Sequence, residues 1–207
     1  MQRFDHSQLL EQAGLNTRLS SRSIDLIDQY FSARDRWSRT HNVAGPKALM
    51  SPYEVDLVDA VALAECLSAS DPLVDVGTGS GTPGLLIACL RPEQLVILVE
   101  PIAKRTAFLR HVRHALGLPN VQVVRSRWPC TLSADAIQIV SRAVVDPEDW
   151  PALAVRTEAK ITCLYRMLAA NRPSMTLSAW RCVKEVDYEL PAKGLRRIEC
   201  WRLPSGG

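Results

Sequence analysis

Asp75-Val76-Gly77-Thr78-Gly79-Ser80-Gly81-Thr82-Pro83-Gly84 lies between two apolar runs. Leu73-Val74, extended by Val76, reads as a buried strand, and Leu85-Leu86-Ile87-Ala88-Cys89-Leu90 reads as a helix. Thr82 is placed to cap that helix, and Pro83 suits its first position, where no backbone donor is needed. The glycines therefore sit on a strand-to-helix turn. Such a turn lets the chain bend tightly and lets a ligand approach the backbone.

Two kinds of cofactor fit this turn. Gly79-x-Gly81-x-x-Gly84 has the dinucleotide spacing, and Glu100 stands where a ribose-binding acid is expected. Asp75 argues the other way, because at the carboxyl end of the strand it would repel a pyrophosphate. S-adenosylmethionine has no phosphate; its ammonium and sulfonium both favour a nearby carboxylate. S-adenosylmethionine is therefore the expected cofactor. The dinucleotide stands as the alternative, as does a turn whose Asp only bonds nearby amides.

Working outward, residues 5–38 read as helical, with Leu9, Leu10 and Ala13 in one stripe and Ile24, Ile27, Tyr30 and Phe31 in another. The polar side of this segment carries Arg18, Arg22, Arg34, Arg36 and Arg39. Ser51-Pro52-Tyr53-Glu54 has the Ser cap, Pro and Glu of a helix start, and the helix should run to about Ser68. Residues 1–70 are thus expected to form a helical N-terminal appendage, and 71–207 the cofactor-binding domain. Beyond residue 70, strands and helices alternate, as in a parallel sheet. Strands are expected at 73–76, 95–99, 121–124, 136–140 and 161–165, with helices at 83–90 and 103–116. Leu177 to Val186 and Leu195 to Leu203 read as a closing antiparallel pair. The expected fold is α/β and Rossmann-like: a doubly wound, mostly parallel sheet of seven strands.

Composition narrows the function. The chain has 207 residues and a formal charge of +3, which permits a nucleic-acid partner without requiring one. No apolar run approaches the roughly 20 residues of a membrane span. The start, MQRFDHSQLLEQ, lacks the apolar core of a signal peptide, so a cytoplasmic protein is expected. The six cysteines include no C-x-x-C pair and read as free thiols in a reducing compartment. His111 and His114 lack a third ligand, so no metal is expected. No Ser-His-Asp order, P-loop or kinase motif occurs, nor an N-P-P-Y motif for exocyclic amines or a loop cysteine placed for C5 chemistry.

Further candidate residues follow from the sheet. Glu100 ends the second strand and faces the crevice, where its carboxylate can accept both ribose hydroxyl protons. The basic face of 103–116, with Lys104, Arg110 and Arg113, suits either phosphates or solvent. Trp128, in Ser126-Arg127-Trp128-Pro129 after the third strand, is placed to stack on adenine or on an RNA base. Arg142, after the fourth strand, can bond a methionine carboxylate or an RNA phosphate, or form a structural salt bridge.

In these residues and in several further motifs, the chain resembles the bacterial small-subunit ribosomal RNA guanine-N7 methyltransferases, also called glucose-inhibited division protein B. The residues that carry the resemblance are Asp75 to Gly84, Arg91-Pro92, Lys104-Arg105 with Phe108-Leu109-Arg110, Leu116-Gly117-Leu118 with Asn120-Val121, Ser126-Arg127, and Ile139-Val140-Ser141-Arg142-Ala143. Trp37 and Asn42 resemble the family's N-terminal W…N element. The resemblance is dense from 73 to 143 and thin elsewhere. The chain departs from the family's pattern at Thr82, at Trp128-Pro129 and at Tyr165-Arg166-Met167. What the resemblance implies is a class I methyltransferase, acting as a monomer, that moves a methyl group from S-adenosylmethionine to N7 of a guanine in small-subunit ribosomal RNA. It further implies cofactor contacts at Gly77, Thr82, the backbone of Trp128 and Pro129, and Arg142, beside Asp75, Gly79, Gly81 and Glu100, and RNA contacts at Lys104, Arg105 and Arg142. N7 carries no proton, so no catalytic base is expected. Two alternatives remain: a methyltransferase for a small molecule or protein, and a non-catalytic S-adenosylmethionine-binding protein.

Overall fold

Short, largely apolar strands form the centre of the sheet. The structure, a computed structural model, describes residues 5–203 other than 143, 173–176, 178 and 192, with the side chains of 47 and 48 left aside. The Ala143 of the resemblance therefore lies outside the described residues. Strands β1 (Leu73–Val76), β2 (Val96–Val99), β3 (Val121–Val124), β4 (Ala136–Ser141), β5 (Lys160–Ala169), β6 (Arg181–Leu190) and β7 (Gly194–Arg202) form one sheet in the order β3-β2-β1-β4-β5-β7-β6. β1 and β2 are buried on both faces, as the central strands of parallel sheets are, with Asp75 the one charged residue among their eight. The first five strands run parallel, and β7 lies antiparallel to both β5 and β6.

Helices crowd one face. α1 (His6–Gln12), α2 (Ser21–His41), α4 (Val58–Ala64), α5 (Gly84–Leu90) and α6 (Ala103–Ala115) share a single apolar core there; a short α3 (Pro46–Met50) precedes α4. The other face is thinner. There Val74, Val76, Ile97, Val99, Ile139 and Trp201 pack under α7 (Trp150–Ala154) and under the irregular chain bearing Trp128, Leu132 and Val145.

The first helical region is broken. α1 ends at Gln12, Gly14 has φ +79°, and α2 begins only at Ser21, with Ser20 capping through Ser23 N–H. Ser51 does not cap. Pro52–Leu57 forms a wide π-type turn that runs into α4. Arg34 is not on a solvated face: it is 1% exposed. The cysteines are not all free either, since Cys163 and Cys200, on adjacent strands β5 and β7, form a disulfide with a Cα separation of 6.4 Å. Among the described residues, no helix is long and apolar enough to cross a membrane, and no group of three or more His, Cys, Asp or Glu could hold a metal ion.

Candidate active site

The turn between β1 and α5 lies at the carboxyl edge of the parallel strands, where ligands of open α/β sheets bind. Asp75 ends up completely buried there. Its Oδ2 accepts hydrogen bonds from Thr78 Oγ1 at 2.6 Å and from the Gly84 amide at 2.9 Å. Its Oδ1 is buried and has no partner. Desolvation pushes the carboxyl up to about 6, against the pull of the Thr78 and Gly84 hydrogen bonds and the charge of Arg142.

This arrangement corrects the reading of the helix start. Thr82 caps nothing, and α5 begins at Gly84 without a side-chain cap of the ordinary kind. Its first amide is taken by Asp75, across the turn. Gly84 must be glycine for the same reason: a Cβ there would stand 2.3 Å from Leu98 Cδ2 and 2.8 Å from Asp75 Oδ2. At Gly77, with φ +67°, a Cβ would meet Val144 Cγ2 at 2.1 Å. Gly79 and Gly81 also adopt positive φ, which turns this stretch of backbone at little steric cost.

Glu100, 2% exposed, closes the other side of the turn. Its Oε2 accepts from Gly79 N–H and its Oε1 from Ile102 N–H, both at 2.9 Å. A carboxylate offers about four lone-pair sites, so acceptor capacity for a vicinal diol remains. Arg105 Nη1 approaches Glu100 at 3.9 Å, while Lys104 stands exposed on the first turn of α6.

Arg142 is drawn into a network that no local pattern announced. Its Nη1 contacts Asp56 Oδ1 at 2.7 Å and Asp59 Oδ2 at 3.2 Å, and its Nη2 donates to Thr82 Oγ1 at 2.7 Å. Asp56 Oδ2 also takes Arg34 Nη1 at 2.5 Å, and Asp59 Oδ1 accepts from the Tyr188 hydroxyl at 2.7 Å. Two guanidinium groups and two carboxylates balance to no net charge. Tyr30 completes the cover, its hydroxyl donating to Ser80 O in the glycine turn at 3.0 Å.

Trp128 is turned away from a free stacking position. Its indole N–H donates to Leu153 O at 2.9 Å, and the ring packs against the second core. Pro129 beside it is exposed. Asp75, Gly77, Gly79, Gly81, Thr82, Glu100 and Arg142 thus gather around one turn at the sheet's carboxyl edge, with Arg105 beside Glu100. Lys104 faces solvent and Trp128 faces α7.

Orphaned Asp75 Oδ1, the Glu100 lone pairs and the open backbone at Gly79 fit a ligand with a cationic end and a ribose. They do not fit a pyrophosphate. Residues 23–165 match the family model described as rRNA small subunit methyltransferase G. The chain belongs to that family. A ribosomal RNA small subunit methyltransferase G from Bordetella avium is 27% identical over 97% of this chain and 95% of its own. Its counterpart from Klebsiella pneumoniae is 32% identical over 69% of this chain and 68% of its own. Among solved structures, M. jannaschii TYW2 in complex with AdoMet aligns with a TM-score of 0.53 at 15% identity, covering 72% of this chain and 76% of that one. P. horikoshii TYW2 aligns at 0.50 and 19% identity over 70% and 61%. The fold is that of class I methyltransferases.

In this family member, the site residues that the sequence did not announce are Tyr30, Arg34, Asp56, Asp59 and Tyr188. One signal was present. Asp56 and Asp59 interrupt the apolar run Leu57, Val58, Ala60 and Val61 at a spacing that puts both on one helical face. Two acids on such a buried segment must be paired.

Proposed function

We propose that this chain transfers a methyl group from S-adenosylmethionine to N7 of a guanine in small-subunit ribosomal RNA. The observation that carries the reading is the buried, unpartnered Asp75 Oδ1 at the mouth of a glycine turn, in a chain of the rRNA small subunit methyltransferase G family. The cofactor supplies a methyl group activated by a sulfonium.

The chain's own residues do the rest. Asp75 attracts the cationic end of the cofactor, and Glu100 holds its ribose. Gly79 gives close backbone approach, Gly77 and Gly81 turn the chain around it, and the Thr82–Arg142 pair walls the acceptor side. The backbone of Trp128 and Pro129 borders the crevice, and Lys104 and Arg105 meet RNA phosphate. N7 contributes its lone pair to the new N–C bond, and the electrons of the broken S–C bond remain on sulfur. No proton leaves N7, so no side chain serves as a base. Orientation and exclusion of water carry the rate; positioning of this kind is worth roughly 7–11 kcal/mol of barrier. Residues 1–70 work as the cover and residues 71–207 as the cofactor-binding unit, in a cytoplasmic monomer.

The test is transfer of labelled methyl from S-adenosylmethionine to small ribosomal subunits from cells lacking the protein, with mapping of the modified base. A 7-methylguanine is the expected product. Cofactor binding without transfer to any ribosomal substrate would refute the reading.

A further inference from the structure

Beside the glycine turn lies a second cavity, of about 250 Å³, whose walls include Ser141, Arg142, Trp150, Arg166, Met167 and Arg196. It falls just below the roughly 300–1,000 Å³ of pockets for drug-sized ligands, which suits a single base better than a whole nucleotide. It adjoins the cofactor crevice through shared walls. Ser141 Oγ donates to Val76 O, one residue before Gly77, and Arg142 bonds Thr82.

The cations on these walls differ in what already balances them. Arg142 faces Asp56 and Asp59. Arg166, 1% exposed, pairs with Glu199 at 2.7 Å and gives its Nε–H to Pro147 O at 2.9 Å. Arg196 has no carboxylate partner among the described ion pairs, and its Nε is buried with no hydrogen-bond acceptor. The rest of the guanidinium is hydrogen-bonded to the Tyr188 hydroxyl, which itself donates to Asp59. β7 brings Arg196 here from outside the residues 23–165 that the family model matches. At the rim, Asp146 is largely exposed and 3.5 Å from Arg172.

We infer that this cavity takes the acceptor guanine and that Arg196 recognises it by donating to O6. The inference rests on the function proposed above. Guanine presents two acceptors, N7 and O6, on its Hoogsteen edge, whereas adenine presents N7 and an amino donor. N7 must be left free to receive the methyl group, so a guanidinium reading this edge takes O6 alone. The same donor faces another donor if adenine enters, which leaves buried polar groups unpaired and rejects it. The acidic rim at Asp146 complements the N1–H and N2–H donors of the opposite edge. Transfer places a positive charge on the purine, so the Arg196 contact does not strengthen as the reaction proceeds. Its contribution lies in binding substrate and appears in KM rather than kcat.

The experiment compares the full-length wild type with Arg196→Gln and Arg196→Lys. The substrates are small ribosomal subunits from cells lacking the protein. kcat and KM are read from labelled-methyl transfer, the cofactor Kd from calorimetry and the fold from thermal unfolding. Loss of a charge-assisted hydrogen bond predicts a rise in KM of about ten- to hundredfold for Arg196→Gln. kcat, cofactor Kd and melting temperature should hold, with partial recovery in Arg196→Lys. An active wild type alongside an Arg196→Gln variant of unchanged KM would overturn the inference and leave the methyltransferase reading intact. So would a variant that loses kcat and cofactor affinity together while Arg196→Lys restores neither. A wild type that binds cofactor yet transfers no methyl to the subunits would overturn the function itself, and this assignment with it.

Discussion

Replacing Asp75 with Asn should stabilise the ligand-free protein while damaging its cofactor site. Asp75 is fully buried, and burial lifts its carboxyl from an ordinary 3.8 to about 6. The folded state therefore holds its proton more tightly than the unfolded chain does. Stability from this group is greatest below pH 4, falls as pH rises from about 4 to about 6, and stays low above. A shift of about 2 units corresponds to ~3 kcal/mol at pH 7. Asn removes that charge. With its oxygen in the place of Oδ2, it keeps the bonds from Thr78 and Gly84. Its amide then occupies the place of Oδ1, which has no partner, and this returns roughly 1–2 kcal/mol. The net is about 1–2 kcal/mol in favour of the variant, or a melting temperature roughly 2–8 °C higher for a chain of this size. The gap should close towards pH 5, where the wild-type carboxyl is mostly protonated. Cofactor affinity should fall about ten- to hundredfold with the loss of a charged partner, and wild-type affinity should weaken below pH 6. Thermal unfolding at pH 7 and pH 5, with calorimetry of S-adenosylmethionine binding, reads all of this. A lower melting temperature at pH 7 with unchanged cofactor affinity would refute the reasoning and leave Asp75 as a turn acid.

Three other perturbations test neighbouring parts of the site. Arg142→Met leaves two buried carboxylates short of a partner, and removing one member of a buried pair costs about 3–5 kcal/mol; urea unfolding should show a midpoint well below that of the wild type. Tyr30→Phe removes the hydroxyl that holds Ser80 O, so stability should fall by about 1 kcal/mol and calorimetry should show severalfold weaker cofactor binding. Lys104→Ala should reduce the slope of log affinity against log salt for RNA by about 1 with no change in cofactor Kd; an unchanged slope would remove Lys104 from the RNA-contacting surface.

What was legible in the sequence was local. The strand, turn and helix from Leu73 to Leu90 are written in consecutive residues, because a short, mostly apolar strand, spaced glycines and an apolar run each dictate their own conformation. The parallel strands read as short apolar blocks for the same reason. The side chains that complete the site were not legible, because their partners are set by tertiary packing. Arg34 sits on a helix beside exposed arginines, yet Asp56, 22 residues on, pairs with it inside the fold. Arg142 stands after β4 as the sequence placed it, yet Asp59 holds it from 83 residues away. Trp128 likewise follows β3, but Leu153 O, 25 residues later, fixes its indole. The consequence is electrostatic. A formal charge of +3 over the chain says little about which arginines can meet an anion or a base. Arg34, Arg142 and Arg166 are each balanced by a buried carboxylate, so their fields largely cancel within the fold. Lys104 at the open edge and Arg196 in the cavity have no carboxylate partner among the described ion pairs. It is therefore at positions such as these, rather than in the buried arginine network, that RNA binding should respond to a change of charge.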